Sequence, residues 1–167
     1  MQRFIAPFIL CGLIASAASA AAAAQPATLL AGKAWSAYAE GDKNAKTCYI
    51  AGKPAKNARA GAGLMVSHRL AEKAFNVVTF NLGYAAKDGA NAELAIDGKK
   101  FQLFIEKNAA WSPDAPTDAA ITKALEHGKT ATLKASPVRG ATTTDIYALA
   151  GLAPALAAID KACGVKR

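Results

Sequence analysis

Few side chains in this sequence could act in catalysis, and they are isolated from one another. The sequence contains two histidines, His68 and His127. Ser67 precedes His68 in an alternating segment, so the two side chains should lie on opposite faces of a strand and could not form a nucleophile and base pair. His127 falls at the end of a predicted helix, where a cation suits the negative end of the helix dipole. We expect His68 in the core or at the rim of a strand.

Two acidic residues near Trp111 are the remaining candidates for acid and base chemistry. Asp114 and Asp118 could flank a site, but the proline-containing segment around Asp114 is equally typical of a loop that enters a helix. The sequence contains no G-x-S-x-G elbow, no H-E-x-x-H motif, no Walker loop and no dinucleotide fingerprint. We therefore predict no catalytic residue, no metal ligand and no cofactor, and keep an unrecognised hydrolase as a minor alternative.

The first 24 residues have the pattern of a secretory signal peptide. Arg3 gives a positive start, residues 4–14 form an apolar run, and residues 15–24 are rich in alanine with A-x-A cleavage sites. A membrane anchor, the alternative, needs roughly 18 or more strongly apolar residues. We predict that residues 1–24 are removed and that residues 25–167 form one domain, periplasmic or secreted, with no transmembrane segment after processing.

Cys48 and Cys163 are the two cysteines that would remain in the processed chain. In an oxidising compartment two such cysteines are expected to pair. A redox pair or a set of metal ligands is the alternative, but C-x-x-C is absent and the histidines lie in unrelated segments. We predict a structural disulfide that joins the start of the domain to its end.

Positive charge is retained by the predicted mature chain. The full sequence has 20 basic and 12 acidic residues, a net charge of +8, and loss of Arg3 leaves +7. Nucleic acid is not expected as a partner outside the cytoplasm, so the charge favours anionic cell surfaces or glycans, or serves solubility. From Lys43 to Arg59 there are five basic residues and no acid. A solvated loop is the alternative interpretation of that segment.

A possible binding surface combines basic residues of this segment with the two tryptophans. Large amphipathic aromatic side chains are frequent at binding surfaces. Packing is the alternative for the aromatic residues, because the chain has 43 alanines and few large apolar side chains for a core. The candidate surface consists of Trp35, Lys53, Lys56, Arg59 and Trp111.

A mainly β domain must position these residues. Alternating patterns predict eight strands, and Asp97-Gly98 predicts a hairpin because a type I′ turn needs residues that tolerate positive φ. Helices are predicted over 117–127, with Thr117 able to cap the first, and over 152–163. The apolar stripe of the second helix turns Cys163 toward the protein body, which supports its pairing with Cys48. The predicted strands are 33–39, 47–51, 63–69, 75–82, 92–96, 99–106, 130–135 and 143–149.

Several short segments occur in order along the chain: Trp35-x-x-Tyr38, Lys46-Thr47-Cys48-Tyr49-Ile50, the hairpin from Asp97 to Phe101, Trp111 followed by a helix, Arg139-Gly140 with Thr142 to Leu149, and Ala162-Cys163-Gly164. Together with the predicted signal peptide, this order resembles the invasion-associated locus B family of alphaproteobacterial exported proteins. The resemblance covers roughly residues 33–164. It implies an immunoglobulin-like antiparallel β-sandwich with a short surface helix and a C-terminal helix, and a location in the periplasm or at the outer surface.

The family resemblance also implies an association with host-cell invasion, and it supplies no catalytic constellation. We therefore expect an exported, non-catalytic binding or interaction protein whose partner is an unknown component of the cell envelope or of a host surface. A periplasmic binder of a small ligand or a glycan, using the basic segment and nearby aromatic residues, is the alternative.

Overall fold

The computed structural model describes residues 25–56, 58–87 and 89–167, and their architecture is mainly β. The predicted signal peptide, residues 1–24, lies outside these described residues. Within them the chain forms ten strands and two helices. The strands are β1 (Ala27–Ala31), β2 (Trp35–Glu40), β3 (Thr47–Gly52), β4 (Ala62–Arg69), β5 (Ala74–Leu82), β6 (Asn91–Ile96), β7 (Lys99–Glu106), β8 (Ala109–Trp111), β9 (Thr130–Ala135) and β10 (Thr143–Ala148), and the helices are α1 (Ala115–His127) and α2 (Leu152–Cys163).

All strand pairs are antiparallel and join in one continuous sheet, in the order β1-β2-β3-β4-β5-β8-β7-β6-β9-β10. The sheet folds over on itself, so that β5 and β10 face each other. Phe80 of β5 packs edge-on against Tyr147 of β10, with ring centroids 5.6 Å apart. The alternating buried residues of the two facing layers form a single core. The predicted mainly β sandwich with two helices is confirmed.

Two strands were not predicted from the sequence. β8 has only three residues between the turn after β7 and the loop before α1, too few to show an alternation. β1 is an edge strand that pairs only with β2, and its side chains are mostly exposed, so it carries no buried stripe. The first predicted strand also begins late, at Trp35, because Gly32 and Trp35 are joined in a turn by a backbone hydrogen bond of 3.0 Å.

The predicted Asp97-Gly98 hairpin joins β6 and β7, with Ile96 opposite Lys99. Both turn residues have positive φ, 46° and 91°. The Asp97 carboxylate also accepts hydrogen bonds from the backbone N–H groups of Lys129 and Thr130, at 2.8 and 3.0 Å. The turn is therefore attached to the start of β9.

The two helices pack against strands β2 to β5 of the sheet. α1 begins at Ala115 rather than Thr117, because Asp114 is its N-cap and accepts a hydrogen bond of 2.7 Å from the Thr117 backbone N–H. α2 has its predicted bounds and packs on β2 and β3. In the described part of the chain, neither helix has the length and apolar character needed to cross a membrane.

α1 covers the portion of β5 that β8 is too short to reach. β8 pairs only with residues 79–81 of β5. Beyond that point, Asp118 accepts a hydrogen bond of 2.9 Å from the Val78 backbone N–H, and Thr122 donates one of 3.3 Å to the Asn76 carbonyl. Side chains of α1 thus occupy backbone groups that an open strand edge would present to a neighbouring chain.

Candidate functional site

A groove of about 1140 Å³ crosses the face of β2, β3, β4 and β5 that points away from the core. Residues directly opposite in an antiparallel pair lie on the same face. The register places Ser36 opposite Ala51, Ala51 opposite Met65, and Met65 opposite Thr79. These four side chains form one row across the strands, and all of them line the groove.

Two of the glycines that line the groove have little room for a side chain. A Cβ at Gly63 would lie 3.1 Å from the Gly52 carbonyl oxygen, and a Cβ at Gly52 would lie 2.5 Å from ring atoms of Trp35. Gly52 therefore leaves room for the Trp35 indole, which is almost fully buried. The indole Nε1–H donates a hydrogen bond of 2.9 Å to the Ala148 carbonyl, which joins β2 to β10 at the end of the groove.

The groove has a positive rim. Lys33, in the turn before β2, and Lys53, just after β3, both line it with exposed side chains. None of the described residues that line the groove is acidic. Tyr38 forms part of the wall and packs against Tyr49 with ring centroids 5.3 Å apart. The site thus combines a positive rim with small and aromatic walls, which suits an anionic or polar ligand.

Thr79 gives the floor of the groove an unused polar group. Its side chain is 7% exposed, and its hydroxyl has no hydrogen-bond partner within the described structure. It lies between Met65 on β4 and Trp111 on β8. A buried hydroxyl without a partner costs about 1 to 3 kcal/mol. A ligand that supplied a hydrogen bond here would recover part of that cost.

The structure brings together three of the five residues predicted for the binding surface. Trp35 and Lys53 line the groove, and Trp111 lies directly opposite Thr79 at its β5 end. Lys56 and Arg59 lie elsewhere, because their segment runs along β10. Lys56 forms an isolated bridge with Ile146, and the neighbouring Ala55 N–H donates a hydrogen bond of 2.7 Å to the Ile146 carbonyl.

The partly exposed Arg59 is bonded to other residues of the protein. Its guanidinium donates two hydrogen bonds to Asp145 of β10, at 2.8 and 2.6 Å, and others to the Leu82 carbonyl. It also lies 5.0 Å from the centre of the Tyr84 ring. The hydrogen bonds to Asp145 are the main cause of a raised pKa of Arg59. Arg59 therefore attaches the basic segment to β10 and to the end of β5.

Sequence patterns did not single out Lys33 or Thr79. Alternation does place Thr79 on the outward face of its predicted strand, between the buried Val78 and Phe80. Its burial comes from its neighbours Met65 and Trp111, which belong to other strands. No local signal in the sequence reports such neighbours.

His68 is fully buried, and both of its ring nitrogens have partners. Nδ1 accepts a hydrogen bond of 3.1 Å from the Asn76 backbone N–H, and Nε2 lies 2.8 Å from Oδ1 of Asp160 on α2. Burial lowers the pKa of His68, although its hydrogen bond to Asp160 acts in the opposite direction. The Ser67 hydroxyl has no partner in the described structure, so it is not joined to the imidazole. Neither nitrogen is left to act as a base toward Ser67.

The other candidates for acid and base chemistry have structural partners. Asp114 caps α1, and its hydrogen bonds with Thr117 lower its pKa. Asp118 binds the Val78 N–H, and burial raises its pKa. His127 is bonded through Nδ1 to the Lys123 carbonyl in the last turn of α1, at 3.0 Å. Each polar group supports the end or the edge of an element.

The predicted disulfide is present between Cys48 of β3 and Cys163 of α2. Both cysteines are buried beneath the apolar side of α2. Across residues 25–56, 58–87 and 89–167, no group of three or more His, Cys, Asp or Glu side chains is arranged to hold a metal ion. The two cysteines therefore link α2 to the sheet.

These features define a class of protein: a disulfide-linked, antiparallel β domain with a positively rimmed groove on one outer face. The chain belongs to the invasion associated locus B (IalB) family, because the model of that family matches residues 35–160. The matched region runs from β2 into α2 and contains most of the groove. No curated protein and no solved structure gives a significant match.

Proposed function

We propose that this protein is exported, is cleaved after the leader of residues 1–24, and acts without catalysis as a binding protein of the periplasm or cell envelope. The leader supports export, since it has a positive start, an apolar run and small-residue cleavage sites. The disulfide is compatible with an oxidising compartment, and so is membership of the IalB family.

The groove is the observation that carries the binding proposal. It combines an accessible volume, two lysines at the rim and a buried hydroxyl that lacks a partner, which are features of a recognition site. The proposed binding surface keeps Lys53 and Trp111 from the sequence prediction and adds Lys33, Tyr38 and Thr79. The buried Trp35 supports the end of the groove through its hydrogen bond to Ala148. The Arg59 side chain and the backbone of Lys56 hold the neighbouring loop against β10.

We further propose that the partner is a component of the envelope or of a host surface. The name of the family refers to invasion, and the positive rim suits the anionic polymers that cover bacterial and animal cells. Under this proposal, any contribution to invasion depends on contact between the groove and such a surface.

To test export, the full chain is expressed with a C-terminal tag in a Gram-negative host. The intact mass of the protein purified from each cell fraction is then measured by mass spectrometry. We expect a periplasmic or secreted product that begins after Ala24 or Ala20 and has no free thiol. A protein that keeps Met1, or that has two reactive thiols at Cys48 and Cys163, would contradict the proposal.

Binding is tested by co-sedimentation of the purified mature protein with isolated envelope fragments. Ala51→Trp fills the middle of the groove, while Ala95→Trp places the same bulk on an outward position of β6, away from it. We expect association for the parent protein and for Ala95→Trp, and its loss for Ala51→Trp. The proposal is rejected if the parent does not sediment or if Ala51→Trp sediments equally well.

A further inference from the structure

The groove continues into an exposed aromatic strip. Trp111 of β8 pairs with Thr79 on one side and with Phe104 of β7 on the other, so all three side chains lie on the same face. Phe104 is 42% exposed, and Trp111 is half-buried. An outward phenylalanine beside a tryptophan offers a flat apolar platform next to the polar floor at Thr79.

The complete face follows the curve of the folded sheet. From Ser36 on β2 to Phe104 on β7 it crosses five strand spacings, roughly 24 Å at ~4.8 Å for each spacing. Lys33 and Lys53 lie at one end, Thr79 lies near the middle, and the aromatic pair lies at the other end. The ligand that fits is elongated, carries negative charge, and offers both polar groups and flat apolar faces.

The partnerless hydroxyl favours a sugar over an acyl chain. A hydrocarbon chain in the groove would cover Thr79 without giving it a hydrogen bond, and the cost of its buried hydroxyl would remain. A sugar hydroxyl can give that bond, while the C–H face of a sugar ring can pack on Trp111 or Phe104. A peptide added as a strand would need an open strand edge, but β3, β4 and β5 beneath the groove are already paired on both sides.

We propose that this face binds an acidic oligosaccharide. Acid groups of the glycan pair with Lys33 and Lys53, a sugar hydroxyl bonds to Thr79, and sugar rings pack on Trp111 and Phe104. This inference rests on the proposed function, for which it names the class of ligand.

The test is titration calorimetry of the mature, disulfide-bonded protein with an oligogalacturonate of four to six sugars. A neutral maltooligosaccharide of equal length tests the need for charge, and a polyglutamate tests whether charge alone is sufficient. A sulfated glycosaminoglycan fragment distinguishes sulfate from carboxylate as the preferred acid. We expect both acidic glycans to bind more tightly than the neutral glycan and than polyglutamate.

Substitutions measure separately how much the lysines and the aromatic residues of this face contribute to glycan binding. The double change Lys33→Gln and Lys53→Gln should weaken binding of the acidic glycan by about tenfold or more and reduce its salt dependence. The matched control, Lys123→Gln with Lys161→Gln, removes two exposed lysines from the helices and should leave binding unchanged. Phe104→Ala should weaken binding without loss of folding, because the side chain is exposed.

Thr79→Val is the sharpest variant, because it replaces the hydroxyl with a methyl group of similar size. It should weaken glycan binding several-fold while folding stability stays equal or rises, since a partnerless buried hydroxyl is removed. The proposal is overturned if neither acidic glycan binds, if polyglutamate binds as tightly, or if Thr79→Val and Phe104→Ala both bind like the parent. If the glycans fail while envelope association still depends on Ala51, the proposed function stands and only the ligand class is rejected.

Discussion

Oδ1 of Asp160, on α2, lies 2.8 Å from Nε2 of His68, on β4. The residue opposite His68 on β3 is Cys48, which forms the disulfide with Cys163 of α2. The end of α2 is therefore attached to β3 and β4 at two adjacent points, one polar and one covalent. Arg167 also donates hydrogen bonds to Asp160. The polar attachment should respond to pH and the covalent one to reduction.

Stability should fall as the pH drops below about 6.5, the ordinary pKa of histidine. His68 is neutral in the fold, because Nδ1 accepts the Asn76 N–H and a second proton there would remove that hydrogen bond. Burial lowers its pKa, so between the unfolded and folded values the unfolded chain binds more protons. The contribution of neutral His68 to the free energy of unfolding is complete above the pKa of His68 in the unfolded chain. It is lost as the pH falls toward the lower pKa of His68 in the folded protein. Urea unfolding at several pH values measures it.

His68→Gln should flatten this pH dependence, while His127→Gln on the exposed end of α1 should preserve it. NMR titration of the His68 ring gives a second readout that does not require a variant. The interpretation is wrong if the ring titrates at or above its ordinary pKa, or if the slope between pH 7 and pH 5 is the same in the parent and in His68→Gln.

Loss of the disulfide should destabilise the domain strongly. The Cys48–Cys163 bond closes a loop of 115 residues, for which the chain-entropy model gives roughly 4 to 5 kcal/mol. Cys48→Ala with Cys163→Ala, and the parent in reductant, should both unfold at lower urea concentration by a similar amount. Reductant should not change the double variant further, and equal midpoints for the parent and the variant would contradict the expected role.

Local patterns predicted the features that depend on nearby residues. The Asp97-Gly98 turn and the apolar stripe of α2 are each contained within about a dozen positions, and both appear in the structure. The cysteine pairing followed from the count of cysteines and the predicted compartment. The β1 edge strand and the three-residue β8 were missed, because neither carries an alternating buried face.

The candidate site depends on pairings between distant segments. Thr79 and Trp111 meet only because β8 adds to β5 after the β6–β7 hairpin has intervened. Arg59 was assigned to a binding surface from the charge of its segment, whereas its partner Asp145 is 86 residues away. The sequence could thus identify basic and aromatic residues but not which of them share a face.

Removal of Arg59 should cost more than removal of its partner's charge. Asp145 is 1% exposed, so Arg59→Met would leave a buried carboxylate without its cation, a change that typically costs about 3 to 5 kcal/mol. Asp145→Asn leaves a guanidinium that is partly exposed and still reaches the Leu82 carbonyl. Urea unfolding of both variants and of the double variant measures their coupling. Equal and small losses would show that the pair contributes little.

Gly52→Ala should destabilise the fold by disturbing Trp35. The added Cβ would lie 2.5 Å from two atoms of the buried indole, and overpacking of this kind costs about 1 to 3 kcal/mol. The indole must shift, which would strain its Nε1 hydrogen bond to the Ala148 carbonyl of β10. Gly63→Ala is the comparison with a milder steric conflict, since its Cβ would meet only the Gly52 carbonyl oxygen, at 3.1 Å. We expect a larger loss of stability and a larger change in tryptophan fluorescence for Gly52→Ala, and the reverse order would show that the space beside Trp35 is not limiting.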